Sequence, residues 1–359
     1  MDLEPTVRSD THAALRARLL ALAVAGLSAF VVCGCRAPSV AQPEAPLTRF
    51  EFQSAHMGTL FHMTLFATNQ PAAEAAAEAA FRRIVDLENT MSDYQADSEL
   101  NLLCQKPVGV PVPVSPDLFD VLWQARRFSQ LTDGAFDVTV GPYVRLWRFA
   151  RKRKVLPKAE ELAAARAAVG WRNLELDRHR RTATLRVSGM RLDLGGIAKG
   201  YASDEALKVL RDRGIRRALV AASGDIAVSE PPPTQNGWRV GISGLGSETN
   251  AGGSMLLLRN AAISTSGDTE QFIEIEGVRY SHIVDPYTGL GLTNRIQASI
   301  VASKATTSDA LATAVCILGP KRGLKLVNSQ RGIGARIVTQ NGAGNRILTN
   351  RMFRKLEGR

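Results

Sequence analysis

The fold class follows from one stretch of the sequence, Gln271-Phe-Ile-Glu-Ile-Glu-Gly-Val-Arg-Tyr-Ser-His282. Two short runs of strand-forming residues are joined there by Glu276-Gly277, a pair typical of a two-residue β-hairpin turn. A second such pair, Asn341-Gly342, joins the strand-like residues 335–338 to a strand that ends at Ile347. Because hairpins connect antiparallel strands, these turns predict antiparallel or mixed sheets.

Helices are predicted between the strands, which makes the chain an α+β protein and not a doubly wound one. Apolar residues recur at helical spacing, and capping residues mark several ends, in the segments 71–91, 116–128 (Ser115 as the N-cap and Gly134 just beyond), 158–169, 199–213 and 308–318. Further strands are predicted at 50–52, 60–66, 218–228, 238–242 and 296–302. The pattern indicates a single domain, of one or two subdomains, with helices flanking the sheets.

The composition is that of an ordinary globular protein with a basic excess. The chain has 359 residues, 45% of them apolar, 4 Cys and a formal net charge of +11. This composition excludes intrinsic disorder and a scaffold held by many disulfides, and it leaves open a single disulfide between Cys104 and Cys316. Nucleic acid, an anionic membrane and a phosphate-rich ligand are the partners that such a charge suits. The basic residues neither alternate with aromatic residues nor form a recognised module, so no nucleic-acid partner is expected.

The N-terminus has the pattern of an export signal. Three arginines precede residues 19–32, an uncharged run of about 14 residues that is shorter than the about 20 needed to span a membrane. The run ends in Val32-Cys-Gly-Cys35, which resembles a bacterial lipobox in which Cys35 would be lipidated. We expect a lipoprotein signal peptide at 1–34, a tether at 35–47 and a lipid anchor on the periplasmic face of the inner membrane. An ordinary secretory signal and a buried helix are the alternatives.

Common nucleotide and metal motifs are missing from the sequence. It contains no Walker A motif, no G-x-G-x-x-G after a strand, no H-E-x-x-H and no Cys/His cluster with zinc spacing. Any nucleotide or metal chemistry must therefore use a different set of residues.

Seven short segments are rich in Gly, Asp, Ser, Thr and His, and they occur in the order His56-Met-Gly-Thr59, 91–100, 132–142, Asp193-Leu-Gly-Gly-Ile-Ala-Lys-Gly-Tyr201, Thr265-Ser-Gly267, 281–289 and Ser308-Asp-Ala-Leu-Ala-Thr313. Each segment is a weak signal, but the ordered set is specific. It resembles the ApbE family of flavin transferases (FAD:protein FMN transferases) over about residues 57–319. The resemblance implies a T-fold-like α+β catalytic domain, expected at 48–350 and followed by a basic C-terminal tail at 351–359.

Asp309 and Thr313 lie one helical turn apart, so their side chains share a helix face and could hold a hard cation through oxygen atoms. The alternative is that Asp309 favours the helix dipole and Thr313 packs. The resemblance implies that both residues bind Mg²⁺ together with the backbone carbonyl of Ala198.

The glycines before the fourth predicted helix let the backbone approach a bulky ligand, and the helix amides with Lys199 suit a pyrophosphate. Alternatively, Lys199 is a solvated surface charge. The resemblance implies contacts with FAD at Met57, Tyr94, Ala135, Phe136, Asp137, Gly195 and Val284. Taken alone, Tyr94 and Phe136 would be interpreted as core residues.

His282 follows a predicted strand, and its imidazole could act as a general base toward an acceptor hydroxyl. Alternatively, it caps the strand. The resemblance implies a Mg²⁺-dependent transfer of FMN from FAD to a Ser or Thr hydroxyl of a membrane redox protein, giving a phosphoester and AMP. Hydrolysis of FAD to FMN and AMP, and flavin binding without catalysis by a lipoprotein, are the alternatives.

The sequence departs from the family pattern at several positions. Tyr287 and Gly291 stand where Arg and Pro are usual, Ser308 replaces an Ala, and Ser223 replaces the first Gly of a Gly-Gly-Asp segment. The basic run at 148–154 lies outside the motifs, and we expect it to be solvated or to face the membrane.

Overall fold

The computed structural model describes residues 46–245, 254–267, 272–341 and 344–358. These residues belong to one compact unit, Ala45–Arg359. The predicted signal peptide, Cys35 and most of the predicted tether lie outside the described residues. Among the helices that are described, none has the length and apolar character needed to cross a membrane.

The helices are α1 (Gln70–Met91), α2 (Glu99–Cys104), α3 (Pro116–Leu131), α4 (Gly141–Arg153), α5 (Ala159–Ala167), α6 (Ala198–Asp212), α7 (Ala305–Asn328) and α8 (Arg351–Leu356). The strands are β1 (Thr48–His56), β2 (Thr59–Ala67), β3 (Val112–Pro113), β4 (Leu174–Asp177), β5 (Thr182–Leu185), β6 (Ala218–Ala222), β7 (Asp225–Val228), β8 (Trp238–Ile242), β9 (Ser254–Leu258), β10 (Ala261–Gly267), β11 (Phe272–Ile275), β12 (Val278–Ser281), β13 (Arg295–Ala302), β14 (Gly334–Asn341) and β15 (Gly344–Thr349). The predicted α+β class is confirmed.

The largest sheet in the described part of the chain has eight strands in the order β1-β2-β6-β7-β10-β13-β14-β15. Every neighbouring pair in it is antiparallel, as the hairpin turns predicted. The ribbons β8-β9 and β11-β12 and the small sheet β3-β5-β4 flank it. The strand predicted over 218–228 is in fact two strands, β6 and β7, joined by a turn at Ser223-Gly224.

Helix α7 differs from its prediction at both ends. It begins three residues before Ser308, because the Asp204 carboxylate on α6 accepts hydrogen bonds from the Ala305 and Thr306 amides, each at 3.0 Å. A cap from a different helix leaves no local sequence signal. The helix was predicted to end before Gly319, and Gly319 does interrupt it, with φ 74°. A second helical part then continues to Asn328.

The apolar residues form clusters on both faces of the large sheet. Residues of α1, α3 and α6 pack with β2 and β6 in the largest cluster, and α7 packs against β13 and β14 in a second. On the other face, β8 and β9 pack over Ile263 and Val301. Cys104 and Cys316 do not form a disulfide with each other.

Two segments that were interpreted from their charge each contain a helix with one buried face. Helix α4 contains most of the basic run, and Tyr143, Trp147 and Ala150 form its buried face, whereas residues 151–154 are exposed, as expected for a solvated run. The predicted basic tail contains α8, whose Phe353 is fully buried beside β8 and β9. The packed domain therefore reaches beyond the predicted boundary at residue 350.

Candidate active site

A cavity of about 1710 Å³ is lined by residues of α6 and α7 together with residues of several strands and loops. The structure brings the predicted site residues together around it, with Asp309 buried immediately beside its wall. The predicted residues on the wall are Met57, Tyr94, Ala135, Phe136, Asp137, Gly195, Ala198, Lys199, His282, Val284 and Thr313. Segments that are far apart in sequence thus build one site.

At one rim, Met57 lies in the tight turn between β1 and β2. His56 pairs with Thr59, so Met57 and Gly58 form a two-residue turn in which both have positive φ, 51° and 70°. Such a backbone is strained for a methionine. The Met57 amide donates a hydrogen bond to Glu88 Oε1 on α1 at 2.8 Å, which fixes the turn against the cavity.

The centre of the site is a cluster of three charged side chains, two of them buried carboxylates. Lys199 Nζ lies 3.1 Å from Asp225 Oδ2 and 3.9 Å from Asp309 Oδ2. Burial alone would lower the pKa of Lys199, but the two carboxylates outweigh it and raise that pKa. Burial, and then the charge of Asp225, raises the pKa of Asp309 to about 7. Two carboxylates and one ammonium leave the cluster with excess negative charge, which favours a bound cation.

Asp225 was not among the predicted site residues. It is the last residue of the Gly-Gly-Asp-like segment and begins β7, where it is buried and lines the cavity. The only sequence signal that could have selected it was its place in that segment.

Oxygen atoms suited to a hard cation lie beside this cluster. Thr313 Oγ1 lies 3.4 Å from Ser266 Oγ, and a Cβ on Gly196 would lie 3.0 Å from Thr313 Oγ1. The Gly200 amide donates to Asp309 Oδ2 at 3.0 Å. In the sequence, Ala198 lies between Gly196 and Gly200, and it lines the cavity. Among the described residues, no three or more His, Cys, Asp or Glu side chains are grouped to hold a metal ion, so a cation here would also need hydroxyl and carbonyl oxygens.

The Asp193–Tyr201 segment is held tightly against α7. A Cβ on Gly200 would lie 2.3 Å from the Ala305 carbonyl oxygen, so glycine is required where α6 meets α7. The Gly195 amide donates to Asp193 Oδ1 at 2.7 Å, and Lys199 Nζ donates to the Gly195 carbonyl at 3.3 Å. Burial, and then the nearby Asp93, raises the pKa of Asp193 to about 6.

Sequence reasoning missed Arg148, which it assigned to a solvated or membrane-facing basic run. Helix α4 instead carries Arg148 to the cavity wall, where it pairs with Asp93 and lies 3.7 Å from Asp193 Oδ2. Its guanidinium also covers one face of the Tyr94 ring, which is otherwise 79% exposed. Tyr94 is therefore not a core residue. No motif marked Arg148, because only the helical face of α4 directs it inward.

The loop that carries Ala135, Phe136 and Asp137 is fixed from behind. Asp137 Oδ1 accepts hydrogen bonds from the amide and hydroxyl of Thr139, and Oδ2 accepts from the Trp171 amide at 2.9 Å. The carboxylate of Asp137 thus stabilises the loop. Phe136 both lines the cavity and packs edge-on against Phe128 in the core, with 6.1 Å between the ring centroids.

His282 directly follows β12 and lies on the cavity wall with an exposed side chain. Val284, two residues on, is buried and bridges to Gly291. Tyr287, at the usual position of an arginine, donates from its hydroxyl to the Asp133 carbonyl at 2.8 Å. That hydrogen bond ties the loop after His282 to the loop that carries Phe136, so the substitution supports the site's shape.

Known proteins are similar to this chain in sequence. The sequence model of the ApbE family matches residues 57–337. The FAD:protein FMN transferase of Vibrio cholerae is 31% identical over 312 residues, covering 86% of this chain and 90% of that protein. That of Treponema pallidum is 32% identical over 295 residues, covering 78% and 81%.

Solved structures agree with the sequence matches. The flavinyl transferase ApbE of Pseudomonas stutzeri, in its apo form, has a TM-score of 0.78 at 27% identity and covers 87% of this chain and 98% of that one. The flavin transferase ApbE of Vibrio cholerae has a TM-score of 0.78 at 30% identity, covering 87% and 100%. The match in sequence, fold and ordered motifs shows that the chain belongs to the ApbE family.

Proposed function

We propose that this chain is a Mg²⁺-dependent FAD:protein FMN transferase that moves FMN from FAD to a Ser or Thr hydroxyl of a partner redox protein and releases AMP. The observation that carries the proposal is the Lys199–Asp225–Asp309 cluster in the wall of a cavity of about 1710 Å³. Pockets for drug-sized ligands have volumes of about 300–1,000 Å³, so this one suits a dinucleotide. The family membership and the names of the relatives support the same activity.

The residues present fit a magnesium ion. Asp309 is a carboxylate whose pKa is raised by burial and then by the charge of Asp225, and Thr313 and Ala198, which line the cavity, carry further hard oxygen atoms. A cation bound there would neutralise negative charge on the phosphates.

The chain's own residues have separate tasks in the proposed reaction. Lys199 binds and orients the pyrophosphate. His282 accepts the proton of the acceptor hydroxyl as its oxygen forms a bond to the phosphorus of the FMN half. The bond from that phosphorus to the bridging oxygen breaks, and AMP leaves with that oxygen.

We also propose that the protein acts at the periplasmic face of the inner membrane, held by a lipid on Cys35, where it would meet membrane redox proteins. The lipobox-like Val32-Cys-Gly-Cys35 supports this. Expression of the full chain in a bacterial host with a labelled fatty acid tests it. Label and membrane association should both be lost in Cys35→Ser, and an unlabelled wild-type chain would contradict lipidation.

The transfer reaction is tested by incubating the protein with FAD, Mg²⁺ and a set of Ser- and Thr-containing peptides from membrane redox proteins of the same genome. Flavin fluorescence of the peptide and release of AMP are measured together. We expect covalent flavin with the wild type, none with Asp309→Ala, and wild-type transfer with Asp212→Ala, which removes an exposed carboxylate at the far end of α6. AMP without labelled peptide would indicate hydrolysis, and no covalent flavin on any peptide would contradict the transferase.

A further inference from the structure

We propose that Gln297 recognises a ring of bound FAD: its Oε1 accepts a hydrogen bond from an N–H group on one of the two heteroaromatic rings. This inference rests on the proposed function, because it takes FAD as the ligand of the cavity. Gln297 belongs to none of the seven motifs, and its role would be specificity and affinity, not catalysis.

The first observation is an unmet hydrogen bond. Gln297 lies on β13, is only 3% exposed and lines the cavity. Its Oε1 is buried and accepts no hydrogen bond from any residue that the structure describes. A buried polar atom without a partner costs a fold about 1–3 kcal/mol, so such atoms are rare and call for an explanation. A ligand in the cavity would supply the missing donor.

The second observation is where Gln297 stands relative to the charged centre. Ser266 on β10 faces α7, where its hydroxyl lies 3.4 Å from Thr313 Oγ1. Successive residues of a strand face opposite sides, so Thr265 faces the other side, where its hydroxyl bonds Ser299 at 2.8 Å. Gln297, two residues before Ser299, shares that side. Because Thr313 and Gln297 both line the cavity, it extends from the charged centre to the β8–β9 side of the sheet.

A glycine faces Gln297 from the neighbouring strand. Gly267 pairs with Gln297 across β10 and β13, and a Cβ on Gly267 would lie 2.9 Å from the Ile296 carbonyl oxygen and 3.2 Å from Gln297 Cβ. That distance is tighter than ordinary contact between side chains. A larger residue at 267 would push on the glutamine, whereas glycine leaves its side chain room beside the cavity.

The surroundings of Gln297 suit a flat ring better than a phosphate. Val240, Ile242 and Ile263 line this side of the cavity and belong to the apolar cluster under β8 and β9. The phosphates have their own partner in the proposed reaction, Lys199. Apolar walls with an amide oxygen between them match a heteroaromatic ring that presents an N–H at its edge. The flavin ring and the adenine ring both carry such a group, and the test separates them.

The test compares Gln297→Met with Gln340→Met in the full-length protein. Gln340 is exposed on the neighbouring strand β14 and does not line the cavity. Methionine keeps the length of the side chain and removes the unpaired oxygen. Thermal unfolding of the ligand-free protein and calorimetric titration with FAD, FMN and AMP are measured for each.

We expect the ligand-free Gln297→Met protein to unfold at the wild-type temperature or above, because an unsatisfied polar atom has been removed. Its FAD affinity should fall about 3- to 10-fold, the value of one net hydrogen bond. The loss should recur with either FMN or AMP but not with both, which identifies the ring. Gln340→Met should match the wild type throughout.

Wild-type FAD affinity in Gln297→Met would overturn the proposal. So would an affinity loss shared equally by FMN and AMP, or one accompanied by a lower unfolding temperature, since both indicate a change of shape. A wild-type protein that does not bind FAD at all would contradict the proposed function itself, and with it this inference.

Discussion

The guanidinium of Arg148 lies over the ring of Tyr94, with Cζ 3.9 Å from the ring centroid. Arg148 is held in place by Asp93 and, at 3.7 Å, by Asp193. One face of the ring is thus covered by a cation while the side chain remains 79% exposed at the cavity wall. The arrangement orients Tyr94 before any ligand binds, which lowers the entropy that stacking on a flavin nucleotide would cost.

Replacing Arg148 with Met should therefore weaken FAD binding. A cation–π contact at an exposed site contributes about 0.5–1 kcal/mol, which corresponds to an affinity loss of about 2- to 5-fold. Fluorescence quenching of the flavin on titration measures it. Arg145→Met, on the exposed side of the same helix, should bind as the wild type does. Equal affinities for Arg148→Met and the wild type would show that Tyr94 needs no orientation.

Ser223 offers a gain in stability. It occupies the β6–β7 turn with φ 54°, a left-handed backbone that costs a side-chain-bearing residue about 1–2 kcal/mol. Glycine removes that cost but adds about 0.5–1 kcal/mol of unfolded-chain entropy. Ser223→Gly should thus raise the free energy of unfolding by about 0.5–1 kcal/mol in urea denaturation. Ser223→Ala, which keeps a Cβ, should give no gain. An equal gain in both variants would contradict backbone strain as the cause.

The same turn shows what the sequence could and could not predict. The apolar run 218–228 reads as one strand, because nothing in it except Ser223-Gly224 suggests a reversal, and serine is not a typical left-handed residue. Where the local signal was strong, as at Ser115 before α3 or at Glu276-Gly277, the predicted elements are present. Where a partner distant in sequence decides, as Asp204 does at the start of α7, the boundary was wrong.

The residues of the candidate site likewise fall into those that the sequence predicted and those that it did not. Residues inside the ordered motifs, such as Lys199 and Thr313, were named in advance and line the cavity. Arg148 and Gln297 were not named in advance. Each lines the cavity only because its helix or strand turns that side chain toward it. Such placement depends on tertiary packing, which charge and motif patterns do not report.

Asp193 predicts a pH dependence of stability. Its pKa in the fold, raised to about 6 by burial and by Asp93, exceeds that of an unfolded aspartate, about 3.9. Below pH 4 the carboxyl is protonated in both states and costs nothing. Above pH 6 it is ionised while buried, which destabilises the fold. Asp193→Asn should therefore gain stability relative to the wild type as the pH rises from 4 to 7.5, by about 1–3 kcal/mol in urea denaturation.

The exposed Asp97 provides the control for that measurement. The stability difference between Asp97→Asn and the wild type should be the same at both pH values. If the difference for Asp193→Asn is also constant, the carboxyl of Asp193 is not the group that burial perturbs.

Gly200→Ala should destabilise the domain and impair the site together. The added Cβ would lie 2.3 Å from the Ala305 carbonyl oxygen and 2.9 Å from Asp309 Cβ, so α6 and α7 must separate. Overpacking of this kind costs about 1–3 kcal/mol, more than the about 1 kcal/mol that alanine gains in a helix. Thermal unfolding should show a lower midpoint, and transferase activity should fall because Asp309 moves. Gly241→Ala, whose Cβ would meet Met255 Cε at 3.8 Å, should keep a wild-type midpoint.

His282→Ala separates proton transfer from ligand binding. The side chain lies on the cavity wall next to the end of β12, and the role proposed for it is removal of the acceptor proton. Loss of a general base lowers kcat by about 10²- to 10⁴-fold. The dissociation constant for FAD should change less than about 2-fold, since binding rests on Lys199 and the other wall residues. Added imidazole should restore part of the lost rate, whereas His179→Ala, at an exposed turn, should transfer flavin normally. A variant that binds FAD poorly and gains nothing from imidazole would place His282 in ligand binding instead of catalysis.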